Sequence, residues 1–181
     1  MSNYVYFNGE LYHHGILGMK WGIRRYQNKD GTLTKAGKAR TIRLRNSAHD
    51  ELYSNTPNYN KSAQKLIKAA KLSGKNVSDA INDEELSAVS IKRNAANYAR
   101  QVLAKPNDPD ILDLEDYVDS ELSRAYGHER IANVMRQKVK DLPPPTSKET
   151  LDGLSIQDWI KRENAYAEKY IQEYLKQKFE E

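Results

Sequence analysis

Trp21 stands among Lys20, Arg24 and Arg25, with Gly15, Gly18 and Gly22 spaced around it. An indole beside three cations suits two kinds of chemistry. One is stacking and charge contact with nucleic acid; the other is cation–π packing inside a miniature fold. The glycines let the backbone turn tightly or come close to another surface. His13 and His14 precede this block. Neighbours in an extended segment point to opposite faces, so hydrogen bonding or stacking is expected of the pair in place of shared metal ligation. A second set of cations, Arg40, Arg43 and Arg45, falls along one expected helix and could track phosphates. A third set is aromatic: Trp159, Tyr166, Tyr170 and Tyr174 recur with Ile156 and Ile160 every three to four residues. Such a stripe packs on its own protein or docks on a partner subunit, and self-packing is the commoner fate.

Other chemistry lacks its residues. The chain has no cysteine, which removes disulfides, thiolate zinc sites and cysteine nucleophiles together. It has no Gly-x-x-x-x-Gly-Lys loop and no Gly-x-Gly-x-x-Gly. The remaining histidines, His49 and His128, do not stand at a two-ligand helical spacing. Asp113, Glu115, Asp116 and Asp119 lack the glycine turn and ligand order of a calcium loop and read as a solvated helix face. The expectation is a binding or assembly protein, not an enzyme, with no metal and no cofactor.

The elements that must position these residues are mostly helices. Asn8-Gly9, flanked by Tyr4-Val5-Tyr6-Phe7 and Glu10-Leu11-Tyr12-His13, predicts a β-hairpin with a type I′ turn. A second turn is predicted at Lys29-Asp30-Gly31, followed by Thr34 as N-cap of a helix from about Lys35 into the fifties, with Gly37 weakening its first turn. Ser62 to Leu72 predicts a helix with Leu66, Ala69, Ala70 and Leu72 near one face, ended by Ser73-Gly74. A longer helix is predicted from Asp83, carrying Leu86, Val89, Ala96 and Val102 to a stop at Pro106 and Pro109. Asp113 to Tyr126 predicts an acidic helix with Leu114, Tyr117, Val118 and Leu122, broken or bent at Gly127 before Ile131, Val134 and Met135. Pro143-Pro144-Pro145 predicts a stiff connector, and Ser155 with Asp158 resembles a helix cap. The expected fold class is mainly α: a helical body with a small β-hairpin-containing N-terminal module. Its divisions are a basic, glycine- and aromatic-rich module over 1–34, a helical body over 35–142, a proline-rich linker over 143–147 and an amphipathic aromatic helix over 148–181.

Of the 181 residues, 30% are charged and 38% hydrophobic, so a modest core under a wet surface is expected. Residues 1–105 carry 18 Lys/Arg against 8 Asp/Glu, and residues 106–181 carry 11 against 17. A chain polarised from +10 to −6 can bind a polyanion at one end, pair head to tail with its own copies, or simply solvate both ends. Met1 to Tyr12 do not form a secretory signal, and no run approaches the roughly 20 apolar residues that span a bilayer. A soluble chain without a membrane anchor is expected, in a reducing compartment or a particle assembled inside one.

Residues 13–40, His-His-Gly-Ile-Leu-Gly-Met-Lys-Trp-Gly-Ile-Arg-Arg-Tyr-Gln-Asn-Lys-Asp-Gly-Thr-Leu-Thr-Lys-Ala-Gly-Lys-Ala-Arg, resemble a short module of tailed-bacteriophage and prophage proteins. There it accompanies head-morphogenesis, minor-capsid and other virion-associated proteins. The resemblance covers under a quarter of the chain, and residues 41–181 resemble no named family. It implies a virion protein, a minor head or neck component or packaged cargo, assembled in the host cytoplasm. The module would dock on portal, capsid or a shared virion partner, with His13, His14, Gly15, Gly18, Lys20, Trp21, Gly22, Arg24 and Arg25 as its binding residues. The alternative is a nucleic-acid-binding accessory or regulatory phage protein working through Arg40, Arg43 and Arg45. Under any reading Trp159, Tyr166, Tyr170 and Tyr174 are candidates for a subunit contact in a homo-oligomer, and a third reading is an enzyme of unfamiliar type or a host-enzyme inhibitor that uses this helix as its contact surface.

Overall fold

A computed structural model describes residues 6–7, 10–11, 25–28, 30–105, 111–146 and 150–180. The protein is mainly helical. Five helices dominate: α1 (Lys35–Leu52), α2 (Tyr59–Ser73), α3 (Val77–Ala104), α4 (Ile111–Lys138) and α5 (Ile156–Glu180). Among the described residues there are also two antiparallel strand pairs, β1 (Tyr6–Phe7) with β2 (Glu10–Leu11), and β3 (Thr150–Leu151) with β4 (Leu154–Ser155). The second pair, near the C-terminus, was not expected. Asp152 and Gly153 form its turn with φ of 52° and 75°, the positive values a two-residue hairpin needs.

Helix starts follow their caps. Thr34 accepts from the Gly37 N–H at 3.1 Å, the predicted N-cap of α1. Asn58 accepts from the Lys61 N–H at 3.0 Å and starts α2 earlier than the apolar spacing alone predicts. Asn76 accepts from the Ser78 N–H at 2.9 Å. That cap corrects the expected start at Asp83: α3 gains a first turn and a half carrying buried Val77 and Ile81. Ser155 and Asp158 hydrogen-bond reciprocally at the start of α5, 2.6 Å between side chains and 3.2 Å to the Asp158 N–H.

The expected break at Gly127 is also corrected: α4 runs unbroken through it. A Cβ at this position would lie 2.6 Å from Leu52 Cδ1. The glycine lets the end of α1 seat against α4, a close approach that outweighs its poor helix propensity.

α3 is the central element. α4 lies antiparallel to it, with Lys92 on Glu129 and Arg136 on Glu85. α5 lies parallel to it on another side, through Gln157 to Asn82 at 2.8 Å and Tyr166 to Asn97 at 3.2 Å. Toward the Val77 end, α1 and α2 cover α3 and α4 around Leu52, Ile67, Ile81, Ile131 and Met135. Toward the Val102 end, the core is Ala95, Ala96, Ala99, Val102, Val118, Leu122, Ala167, Ile171 and Tyr174. Its alanines have 0% exposure, so the helix backbones approach closely with little side chain between them.

The proline segment is strapped to the body. The Pro144 carbonyl accepts from Asn76 Nδ2 at 2.8 Å, the Pro143 carbonyl from the Ser78 hydroxyl, and Asp79 Oδ1 from the Thr146 N–H at 2.8 Å. These contacts place the start of the return path to α5 against the first turn of α3.

Candidate functional site

His13, His14, Gly15, Gly18, Lys20, Trp21, Gly22 and Arg24 lie outside the described residues. Arg25 is described, and it shows how the last part of the module joins the body. The guanidiniums of Arg25 and Arg40 stand 5.4 Å and 5.1 Å from the centre of the Tyr26 ring. The Thr34 hydroxyl donates to the Arg25 carbonyl at 2.9 Å, and the Thr34 N–H donates to the Tyr26 carbonyl at 3.1 Å. Gln27 Nε2 reaches the Leu72 carbonyl at 3.0 Å, tying this segment to the end of α2. The predicted turn closes with Asn28 N–H on the Thr32 carbonyl at 2.7 Å. Gly37 is the residue that permits this seating, since a Cβ there would lie 2.0 Å from the Tyr26 carbonyl oxygen.

Arg40, Arg43 and Arg45 are all exposed on α1. They do not share one face: Arg40 turns to Tyr26, while Arg45 lines a cleft of about 210 Å³ with His49, Asp83, Glu84 and Ser87. The aromatic stripe of α5 packs within its own chain. Trp159 donates to Asp152 at 3.3 Å, and the Tyr166 and Tyr170 rings meet at 5.2 Å on the second core. Tyr174 is 1% exposed, with its hydroxyl 3.0 Å from Lys178 Nζ. Burial pushes the Tyr174 phenol above its ordinary range, against the Lys178 hydrogen bond, which acts to lower it. The geometry therefore removes Tyr174 from the expected subunit contact.

One constellation was not expected from the sequence. His128 of α4 is 3% exposed, and its Nδ1 lies 2.7 Å from Oε2 of Glu84 on α3, itself 8% exposed. Its Nε2 lies 2.9 Å from the hydroxyl of Tyr53, the C-cap residue of α1. An ionised carboxylate only accepts, so Nδ1 carries a hydrogen, and in the neutral ring the Tyr53 hydroxyl donates to Nε2. The His49 ring stands 6.0 Å from both His128 and Tyr53. Arg124 sits 5.8 Å from the centre of the Tyr53 ring and pairs with Glu121. Burial works to lower the Arg124 pKa, but Glu121 and the Tyr53 hydroxyl outweigh it and hold the guanidinium above its usual range.

The arrangement is a hydrogen-bonded chain from a buried carboxylate, through an imidazole, to a phenol at the surface, where Tyr53 is 47% exposed. It pins α1, α3 and α4 to one another. One signal in the sequence could have found it. Val77, Ile81, Glu84 and Ala88 share one face of α3, so Glu84 alone of Asp83-Glu84-Glu85 falls within the apolar stripe. Among the described residues, no group of three or more His, Asp or Glu is placed to hold a metal ion, and no helix is long and apolar enough to cross a membrane.

The comparisons with known proteins bear on the other end of the chain. Residues 2–28 match the model of a family of unknown function, DUF7211, a span of less than a sixth of the sequence. No curated protein and no solved structure matches the chain.

Proposed function

We propose that this protein is a virion-associated component of a tailed bacteriophage, a minor head or neck protein or packaged cargo, whose N-terminal module docks on portal, capsid or a shared virion partner. The observation that carries the reading is a division of labour along the chain. The family match is confined to residues 2–28, whereas α1 to α5 close on their own cores. A self-contained body bearing a separately recognisable end piece is the organisation expected of an address module on a payload. The strand pair Tyr6–Phe7 with Glu10–Leu11 supports a module built on a hairpin. Trp21, Lys20, Arg24 and Arg25 supply its contact chemistry, stacking and cation contacts on a glycine-shaped backbone.

The test is incorporation. Particles assembled with Trp21→Ala plus Arg24→Ala chains should lack the protein by mass spectrometry while the unaltered chain is present. Normal incorporation of the variant would end the docking role, and absence of the unaltered chain from particles would end the virion reading. A nucleic-acid-binding accessory protein is the second reading. It is favoured by Lys35, Lys38, Arg43 and Arg45, which form no ion pair among the described residues. Steeply salt-dependent DNA binding would support it.

A further inference from the structure

The body neutralises much of its own charge across helices, as in Lys65 with Glu51, Lys92 with Glu129 and Lys178 with Asp119. Among the charges that form no ion pair with described residues, two sets of opposite sign lie beside exposed apolar side chains: Lys35, Lys38 and Arg43 on α1, and Asp113, Glu115 and Asp116 at the start of α4. Each set surrounds apolar side chains standing in solvent. Ile42 is 57% exposed on α1 and Leu112 is 70% exposed on α4.

Solvation explains the acids, and Asp113 in the first turn of α4 also suits the helix dipole. It does not explain α1, whose first turn holds no acid and whose Lys35 and Lys38 oppose the dipole. A polyphosphate would answer these cations but leave Ile42 without a purpose. A protein surface with an apolar centre and an acidic rim answers both.

The start of α4 is such a surface, and one molecule cannot bring its own two patches together. α1 packs toward the Val77 end of α3 and the start of α4 toward the Val102 end. The 28 residues of α3 separate those ends by about 42 Å. We propose that α1 of one copy docks on the start of α4 of a second copy. Ile42 meets Leu112, and the α1 cations meet Glu115 and Asp116, which flank Leu112 one turn along α4. The two surfaces differ, so the contact is heterologous and propagates head to tail into a ring or a filament. The residues changed in the test, Arg43 and Asp116, lie outside the stretch that resembles the module, so its failure and a failure of docking are separate results.

Sedimentation velocity of the full chain tests this, with the unaltered chain, Arg43→Glu, Asp116→Arg and an equimolar mixture of the two variants. Both changes are on exposed positions, and far-UV circular dichroism checks that each variant is folded. The mean mass of the unaltered chain should at least double with rising concentration at low salt and fall back toward monomer at about 0.5 M salt, where screening is short-ranged. Each variant alone should stay monomeric. The mixture should associate again, because one pairing is reversed in sign and the other is native. A monomer at every concentration, association unchanged in the variants, or a mixture that stays monomeric would each overturn the proposal. So would a monomer that binds duplex DNA through Arg43, which would make polyphosphate the occupant.

Discussion

Replacing His128 by alanine tests the hydrogen-bonded chain where it is most buried. The imidazole is 3% exposed and bridges a 2.7 Å contact to Glu84 and a 2.9 Å contact to Tyr53. Its loss forfeits a hydrogen bond to a charged group, about 1.5–3 kcal/mol, and strands a carboxylate that no longer has a donor, about 1–3 kcal/mol more. The combined loss of about 3–5 kcal/mol is a large share of the roughly 5–15 kcal/mol that holds a domain folded. At about 2–4 °C per kcal/mol for a chain of this size, Tm should fall by roughly 10 °C.

The neighbouring substitutions should rank below it. Glu84→Gln keeps an oxygen that can accept from Nδ1 and should cost about 1 kcal/mol. Tyr53→Phe removes one bond from a half-exposed phenol and should cost about 0.5–1 kcal/mol. Urea denaturation followed by circular dichroism gives the order, and a double-mutant cycle between Glu84→Gln and His128→Ala should show coupling of about 0.5–3 kcal/mol. The reasoning is refuted if His128→Ala unfolds within about 1 kcal/mol of the unaltered chain, or if Tyr53→Phe is the more damaging change.

Two further outcomes follow from the same geometry. Gly37→Ala gains about 1 kcal/mol of helix propensity but drives a Cβ to 2.0 Å from the Tyr26 carbonyl. The segment over residues 25–34 should therefore lift from α1, with faster hydrogen exchange at the Thr34 N–H and unchanged exchange in α3 and α4; higher Tm with unchanged exchange would show that this segment does not rest there in solution. Tyr174 has a folded pKa raised above the ordinary 10.0, so its contribution is complete below about pH 10 and is lost as pH rises through the folded value. The urea midpoint should fall on that alkaline limb more steeply for the unaltered chain than for Tyr174→Phe, and parallel limbs would count against a buried, neutral phenol.

How much of the fold was legible depended on side-chain size. α5 announced itself because Ile156, Ile160, Tyr166 and Tyr174 are large and periodic, and all of them pack on the cores. α3 and α4 carried a weaker signal, because their closest packing runs through Ala95, Ala96, Ala99 and Ala125, each 0% exposed. Alanine favours helix and permits close approach but contributes little to an apolar pattern. Gly127 misled for the same reason. Its value lies in the space it leaves for Leu52, a residue far away in sequence, while its local effect argues for a break. The C-terminal hairpin carried the right dipeptide, Asp152-Gly153, but strands of two residues hold no alternation to read.

The site was less legible than the fold. A stripe on one helix is a local property, and spacing reveals it. The contact of Glu84, His128 and Tyr53 needs three helices to meet, across separations of 44 and 75 residues. Nothing in the spacing of those residues encodes that meeting. What the sequence does hold is a misplaced charge: Glu84 stands in line with Val77, Ile81 and Ala88 on the buried face of α3. A carboxylate there must be neutralised or find a donor. Uncharged donors are plentiful in this chain, with 12 tyrosines and two tryptophans beside its serines, threonines, asparagines and glutamines. The acid in the apolar stripe therefore calls for a partner without naming it. The fold supplies His128, and the glycine before it lets Leu52 at the end of α1 close against α4, which brings Tyr53 to the other ring nitrogen.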